Sequence, residues 1–174
     1  ILSPSNGKPI IVPSQDMILG IYYLSLPPYQ EKKIEGYFVN NSEIEQGLES
    51  GKIKIHSRII SRFETVDEKG NQIFEKHIST AGRFLLANLL PKNKDIKFSL
   101  IDRVLPKKVV SEIIDFVFRY TGQKSTVIFC DKLKDIGFLE SDIMEVSGHK
   151  SLNSLKKYLK TSDAKKKEMI MSLN

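Results

Sequence analysis

The side chains best suited to nucleophilic or acid–base chemistry are three histidines and one cysteine, and they are far apart in the sequence. His56 and His77 fall on predicted strands, so we expect solvated or hydrogen-bonded imidazoles rather than metal ligands. Cys130 follows the apolar run 127–129, which favours a buried thiol over an exposed nucleophile. A single cysteine also excludes a disulfide framework and a multi-cysteine zinc site within the chain, and it fits a reducing compartment.

The common catalytic patterns do not occur in this sequence. It has no Gly-rich phosphate loop, no G-x-S-x-G elbow, no H-E-x-x-H motif and no carboxylate cluster of metal-binding spacing. The composition is that of a globular chain, with 40% apolar and 28% charged residues among 174. No apolar run approaches the roughly 18 residues that a membrane span needs, so we predict no membrane partner. The net charge of +6 mildly favours acidic partners such as nucleic acid.

Hydrophobic periodicity predicts an α+β fold, in which short strands and a hairpin are followed by packed helices and a small all-helical C-terminal tail. Alternation over 52–66 predicts a half-buried strand, with Ile59 and Phe63 facing the core and His56 and Arg62 on the polar face. The other predicted strands are 10–12, 36–40 and 72–77, the last following a hairpin loop at 67–71. The predicted helices are 14–24 capped by Ser14, 42–48 capped by Ser42 and closed by Gly51, 83–90, 107–120, 125–136 ending at Gly137, 140–146 and 151–161.

Six collinear blocks carry a resemblance to a known family. They are residues 1–24, GKIKIHSR at 51–58, TAGRFLLANLLP at 80–91, IDRVLPKKVVSEII at 101–114, GQKSTVIF at 122–129 and DKLKDIGF at 131–138. In this order they resemble the β′ (largest) subunit of bacterial DNA-directed RNA polymerase. The resemblance implies that residues 1–25 are the end of the active-site module and that residues 26–138 are the pore, or funnel, domain.

The resemblance also implies a function in DNA-templated transcription. The pore region of the family lines the secondary channel, through which nucleoside triphosphates reach the active site and the RNA 3′ end leaves during backtracking. The candidate channel residues are Asn6, Gln15, Lys107 and Lys108, which stand in matching motifs. The alternatives are a local backbone hydrogen bond for Gln15 and simple solvation for the two lysines. Implied partners are the remainder of β′, the β subunit, template DNA and nascent RNA, in the cytoplasm.

The magnesium-binding motif of the family, N-A-D-F-D-G-D, does not occur in this chain. Two-metal phosphoryl transfer needs carboxylates that hold the ions. We therefore expect no residue of this chain to be catalytic for polymerisation and no cofactor to be bound by it, with Mg²⁺ held in the parent nucleotidyltransferase by residues elsewhere. Because the chain begins with Ile1, we expect it to be part of a longer one.

The C-terminal segment departs from β′. Residues 139–174 resemble the C-terminal end of tyrosine recombinases, in which a Gly-His pair precedes a nucleophilic tyrosine, and here His149 precedes Tyr158 by nine positions. In that family the tyrosine attacks a DNA phosphodiester while the histidine stabilises the transition state. No H-x-x-R box occurs in this chain, so we expect the recombinase-like tail to be inactive. The alternatives are a recombinase-related DNA-binding or integration protein, and an isolated structural domain without activity.

Overall fold

A computed structural model describes residues 15–146, with side chains through residue 138. The fold is α+β, as the sequence predicts, and contains one two-stranded antiparallel sheet among the described residues. In chain order the elements are α1 (Gln15–Leu24), α2 (Asn41–Glu49), β1 (Arg58–Val66), β2 (Gln72–Thr80), α3 (Ala81–Ala87), a 3-10 turn (Phe98–Leu100) and α4 (Lys107–Val146). The predicted strand at 10–12, the Ser14 cap and the helix at 151–161 lie outside the described residues.

The hairpin forms around the loop that the sequence predicts. β1 and β2 pair from Arg58 opposite Thr80 to Val66 opposite Gln72. The Asp67 carboxylate accepts hydrogen bonds from the backbone amides of Lys69 at 2.9 Å and Asn71 at 2.8 Å, and Gly70 takes a positive φ of 82°. Aspartate and glycine together satisfy the geometry of the tight loop. The strand predicted over 52–66 begins only at residue 58, and its partner is longer than predicted.

Two predicted local features differ from the structure. Residues 36–40 do not form a strand: only Tyr37 makes an isolated bridge, to Ile60 of β1. The N-cap of α2 is Asn40, whose side chain accepts a hydrogen bond from the Glu43 amide at 3.0 Å. Ser42 lies within the first turn. Asparagine and serine are comparably good caps, so the sequence alone left the start of this helix uncertain by two residues.

Helix α4 contains one break, at Gly122, whose φ of 85° and ψ of −178° are non-helical. The predicted helix end at this glycine is therefore confirmed. The predicted end at Gly137 is wrong, because the helix continues through this residue to Val146. Helix α3 begins at Ala81 rather than Arg83, with the Thr80 hydroxyl accepting from the Arg83 amide at 3.2 Å. The predicted domain boundary near residue 139 stays a prediction.

Helix α1 lies at the centre of the core. Met17, Ile21, Tyr22 and Leu24 are each at most 1% exposed, although they span more than one face of the helix. A helix that is apolar on most sides must be surrounded by other elements. Here α4 packs against α1, and α3 contacts it from the hairpin side. Burial therefore fixes the position of α1 more firmly than that of any surface element.

Candidate functional site

Gln15 is the first residue of α1, and its side chain is exposed. Asp16 beside it is also exposed, whereas Met17 and Ile18 are already buried. The predicted channel residue therefore stands at the surface end of a helix that is otherwise fixed in the core. Its amide can both donate and accept hydrogen bonds. Asn6, the candidate that precedes it, lies outside the described residues.

Lys107 and Lys108 are the first two residues of α4, and both are exposed. The helix begins with the Val110 amide donating to the Pro106 carbonyl at 3.0 Å. The nearby amide of Leu105 donates to the Ser25 hydroxyl at 2.9 Å, so this start of α4 lies beside the C-terminal end of α1.

The structure does not bring Gln15 and the two lysines together. The backbone of Met17 contacts Gly137, so the N-terminal end of α1 lies against the second half of α4. The lysines lie at the other end of α1, about 15 Å away along its axis at 1.5 Å per residue. They form two separate exposed positions rather than one cluster. The recombinase-like candidates His149 and Tyr158 lie outside the described residues.

A polar network holds the lysine end of α1. The Ser25 hydroxyl donates to the Tyr22 carbonyl at 2.8 Å, and the Ser25 carbonyl accepts from Arg83 Nε at 3.0 Å. Arg83 also pairs with Asp102 at 3.4 Å, and the Ser79 hydroxyl donates to the same carboxylate. Burial lowers the pKa of Arg83, while Asp102 opposes that shift. The network joins α1, β2, α3 and the segment before α4.

A cleft of about 890 Å³ opens between α1, α2, α3 and the second half of α4. Its polar lining includes Glu45 and Glu49 of α2 and Lys132 and Asp135 of α4, and its apolar lining includes Leu48, Ile53, Leu85, Leu89 and Ile136. Charges of both signs beside apolar side chains would suit a small zwitterionic or peptide-like ligand. No residue of this cleft was a predicted site residue.

His56 lies at the floor of this cleft and is only 2% exposed. Its Nε2 lies 2.6 Å from the Tyr23 carbonyl oxygen, and its Nδ1 lies 2.9 Å from the Tyr29 hydroxyl. Because a carbonyl only accepts, Nε2 carries a proton, and in the neutral imidazole Nδ1 accepts from Tyr29. The predicted place of His56 on the polar face of a strand is wrong, because it precedes β1. The prediction that it is hydrogen-bonded is confirmed.

The two other reactive side chains in the described residues, Cys130 and His77, are also held by packing contacts. The Cys130 thiol is buried, as predicted, and burial raises its pKa to about 11, which suppresses the nucleophilic thiolate. The imidazole of His77 is half-buried and stacks on Phe98, with ring centroids 4.3 Å apart. It also lies 3.3 Å from Glu75. Both side chains therefore have packing partners within the fold.

Within residues 15–138, no three histidine, cysteine or carboxylate side chains come together in a way that could hold a metal ion. In the same described region, no helix is long and apolar enough to cross a membrane.

Residues 1–147 match the protein family described as RNA polymerase Rpb1, domain 3. The match covers most of the 174 residues and includes every described helix and strand. The chain therefore belongs to this family and is a segment of the largest subunit of an RNA polymerase. Family membership places it in DNA-directed RNA polymerase, a nucleotidyltransferase that assembles from several subunits and carries out transcription.

Proposed function

We propose that this segment belongs to a β′ subunit of the bacterial type and lines the channel through which nucleoside triphosphates enter the polymerase. Membership of the largest-subunit family supports a place in the enzyme, and the collinear blocks from residue 1 to residue 138 support the bacterial type. The partners in this proposal are the remainder of β′, the β subunit, template DNA and nascent RNA. The proposed compartment is the cytoplasm.

The observation that carries the proposal is the position of Gln15. Its side chain is exposed, yet it is the first residue of a helix that is buried from Met17 to Tyr22 and again at Leu24. The buried helix fixes the backbone position of Gln15, so binding has to order only this side chain and not a loop. The side-chain amide is suited to form hydrogen bonds with the sugar or base of a passing nucleotide.

Lys107 and Lys108 supply positive charge at the second exposed position. Cations at a helix N-terminus oppose the helix dipole, so helix stability does not favour them there. In this proposal they stand there because they bind phosphate. In the proposed channel these lysines attract triphosphates electrostatically. Because they are separated from Gln15, a nucleotide would contact the lysines and Gln15 at two different points of the channel rather than in one pocket.

The chemistry of nucleotide addition belongs to other residues of the enzyme in this proposal. Mg²⁺ is held elsewhere in the polymerase in this proposal, since the chain contains no N-A-D-F-D-G-D motif. The contribution of this segment is to position and admit substrate. Its variants should therefore alter nucleotide use more than the chemical step.

The test uses assembled polymerase that contains this chain. Gln15→Ala should raise the KM for nucleoside triphosphates by about threefold to tenfold, the value of one lost hydrogen bond, with little change in kcat. Gln46→Ala removes the same side chain from an exposed position on α2 and is the matched control. Unchanged KM in the Gln15 variant, or an equal change in both variants, would count against the proposal.

A further inference from the structure

The outer face of the hairpin exposes a group of large apolar side chains. Phe74 and Ile78 of β2 are 50% and 48% exposed, and Tyr37 and Val39 beside β1 are 72% and 51% exposed. In the register of the hairpin, Phe74 lies opposite Glu64 and Ile78 lies opposite Ile60, so both point to the same face. A contiguous patch of this kind marks a binding surface more often than a solvated one.

Two cations lie in the middle of this face. Arg62 and Lys76 stand directly opposite each other across the two strands. Like charges in this position are destabilising. Arg62 lies over the Phe74 ring at 4.5 Å, and Lys76 lies near the Tyr37 ring at 5.9 Å.

No carboxylate within the described part of the chain forms an ion pair with either cation. The carboxylate of Glu64, on the same face, instead binds Lys92 and Gln72. The pair therefore lacks an anionic partner among these residues.

The backbone amides and carbonyls of Phe74, Lys76 and Ile78 in β2 face away from β1. Ile60 uses its amide and carbonyl for bonds to Gly36 and Phe38, on the side away from β2. By the alternation of an antiparallel pair, Ile60 and Ile78 do not exchange hydrogen bonds, and neither do Arg62 and Lys76 or Glu64 and Phe74. The amides and carbonyls of Phe74, Lys76 and Ile78 thus point to the open edge, where no other strand of residues 15–146 pairs with β2.

We propose that the open edge of β2 binds an extended segment of another polypeptide as an added strand. In that strand a carboxylate-bearing residue lies opposite Lys76, and apolar residues lie opposite Phe74 and Ile78. The backbone hydrogen bonds supply affinity, and the apolar–acidic–apolar spacing supplies specificity. The proposal uses the hairpin alone and does not depend on the channel contacts of Gln15.

A polypeptide strand fits these observations better than the other possible occupants. A second copy that paired Phe74 with Ile78 would set Lys76 against Lys76, which adds another like-charge pair. Single-stranded nucleic acid would use the aromatic rings and the cations, but it would leave the outward amides and carbonyls of β2 unpaired. An added strand pairs with the outward backbone groups of β2, contacts Phe74 and Ile78, and places its carboxylate beside Lys76, whereas Arg62 on β1 donates to the Val39 carbonyl at 3.0 Å.

The test measures amide hydrogen exchange of the full chain by NMR. The probe is the synthetic peptide Thr-Val-Thr-Glu-Thr-Val-Thr, and the matched peptide carries lysine in place of glutamate. The glutamate peptide should slow exchange of the Phe74, Lys76 and Ile78 amides and bind about fivefold more tightly than the lysine peptide. Lys76→Glu should reverse this preference, whereas Lys69→Glu, in the exposed hairpin loop, should leave it unchanged.

Three results would overturn the proposal. The first is that neither peptide slows exchange at these amides, even at millimolar concentration. The second is that a single-stranded RNA oligonucleotide protects these amides while the peptides do not. The third is concentration-dependent protection of the same amides in the chain alone, which would show that a second copy is the occupant.

Discussion

Gly20 of α1 lies so close to Gly137 of α4 that a Cβ atom on Gly20 would stand 1.9 Å from the Gly137 carbonyl oxygen. A Cβ atom on Gly137 would in turn stand 2.6 Å from the Met17 carbonyl oxygen. Neither distance is possible for a real side chain, so the absence of both Cβ atoms permits the close approach of the two helices. This contact fixes the end of α1 on which the exposed amide of Gln15 stands.

Gly20→Ala tests this contact. Alanine favours a helix over glycine by about 1 kcal/mol, so any loss of stability must come from the forced separation of α1 and α4. We expect a net loss of about 2 kcal/mol in the free energy of unfolding, measured by urea denaturation. Gly70→Ala is the comparison: nothing lies within 4 Å of its Cβ, and only its positive φ costs energy. Equal stability of Gly20→Ala and the unaltered chain would show that the helices can part freely.

A comparison of Gly122 with Gly137 shows how far the sequence could predict the structure. The break at Gly122 and the loop at 67–71 followed from local turn chemistry, and both are confirmed. Gly137 carries the same local signal as Gly122, yet it lies inside a helix, because its purpose is close packing against a residue more than a hundred positions earlier. Local patterns do not distinguish these two uses of glycine.

The cleft was not predicted, because its residues come together through contacts between distant parts of the sequence. His56 continues the alternation of the following strand, so periodicity assigned it to an exposed face. Its burial depends on Tyr23 and Tyr29, which are about thirty positions earlier and carry no local signal of contact. By contrast, the start of α4 at Lys107 was predicted correctly, because apolar residues at helical spacing follow it in the sequence.

Cys130 should make stability depend on alkaline pH. Below the ordinary thiol pKa of 9.0, both the folded and the unfolded chain keep the proton and the residue adds no pH dependence. Between pH 9 and about 11 the unfolded chain loses the proton and the folded chain keeps it, so the stability of the fold decreases as pH rises.

Urea unfolding at about pH 8 and about pH 10 measures this effect. The unaltered chain should lose more stability between the two conditions than Cys130→Ala does, because the other titrating groups are common to both. Parallel losses in the two proteins would show that the thiol pKa is not raised in the folded state.

Asp102→Asn should destabilise the junction between α1, β2 and α3. The change removes the charge that pairs with the partly buried guanidinium of Arg83, whose side chain is 13% exposed. We expect a loss of about 1–2 kcal/mol in the free energy of unfolding, the range for a hydrogen bond to a charged group. Asp95→Asn, at an exposed position, should have no measurable effect in the same urea experiment. If Asp102→Asn lowers the free energy of unfolding no more than Asp95→Asn does, the Arg83–Asp102 pair does not contribute to stability.

The isolated chain should neither extend RNA nor attach to DNA. It contains no N-A-D-F-D-G-D motif and no H-x-x-R box, so it lacks the usual groups for both reactions. Incubation with a primed template and nucleotides should give no extension, and incubation with a nicked duplex should give no protein–DNA adduct on a denaturing gel. An adduct that disappears in Tyr158→Phe would instead establish the recombinase-like tail as active.

The central claim, that α1 presents Gln15 to the nucleotide path of a polymerase, is tested most directly by cross-linking in the assembled enzyme. A photoreactive amino acid at position 15 should cross-link to the RNA 3′ end in a backtracked complex. The same group at position 46, on the exposed side of α2, should not. Cross-links from position 15 to protein alone, or equal RNA cross-linking from both positions, would contradict the account.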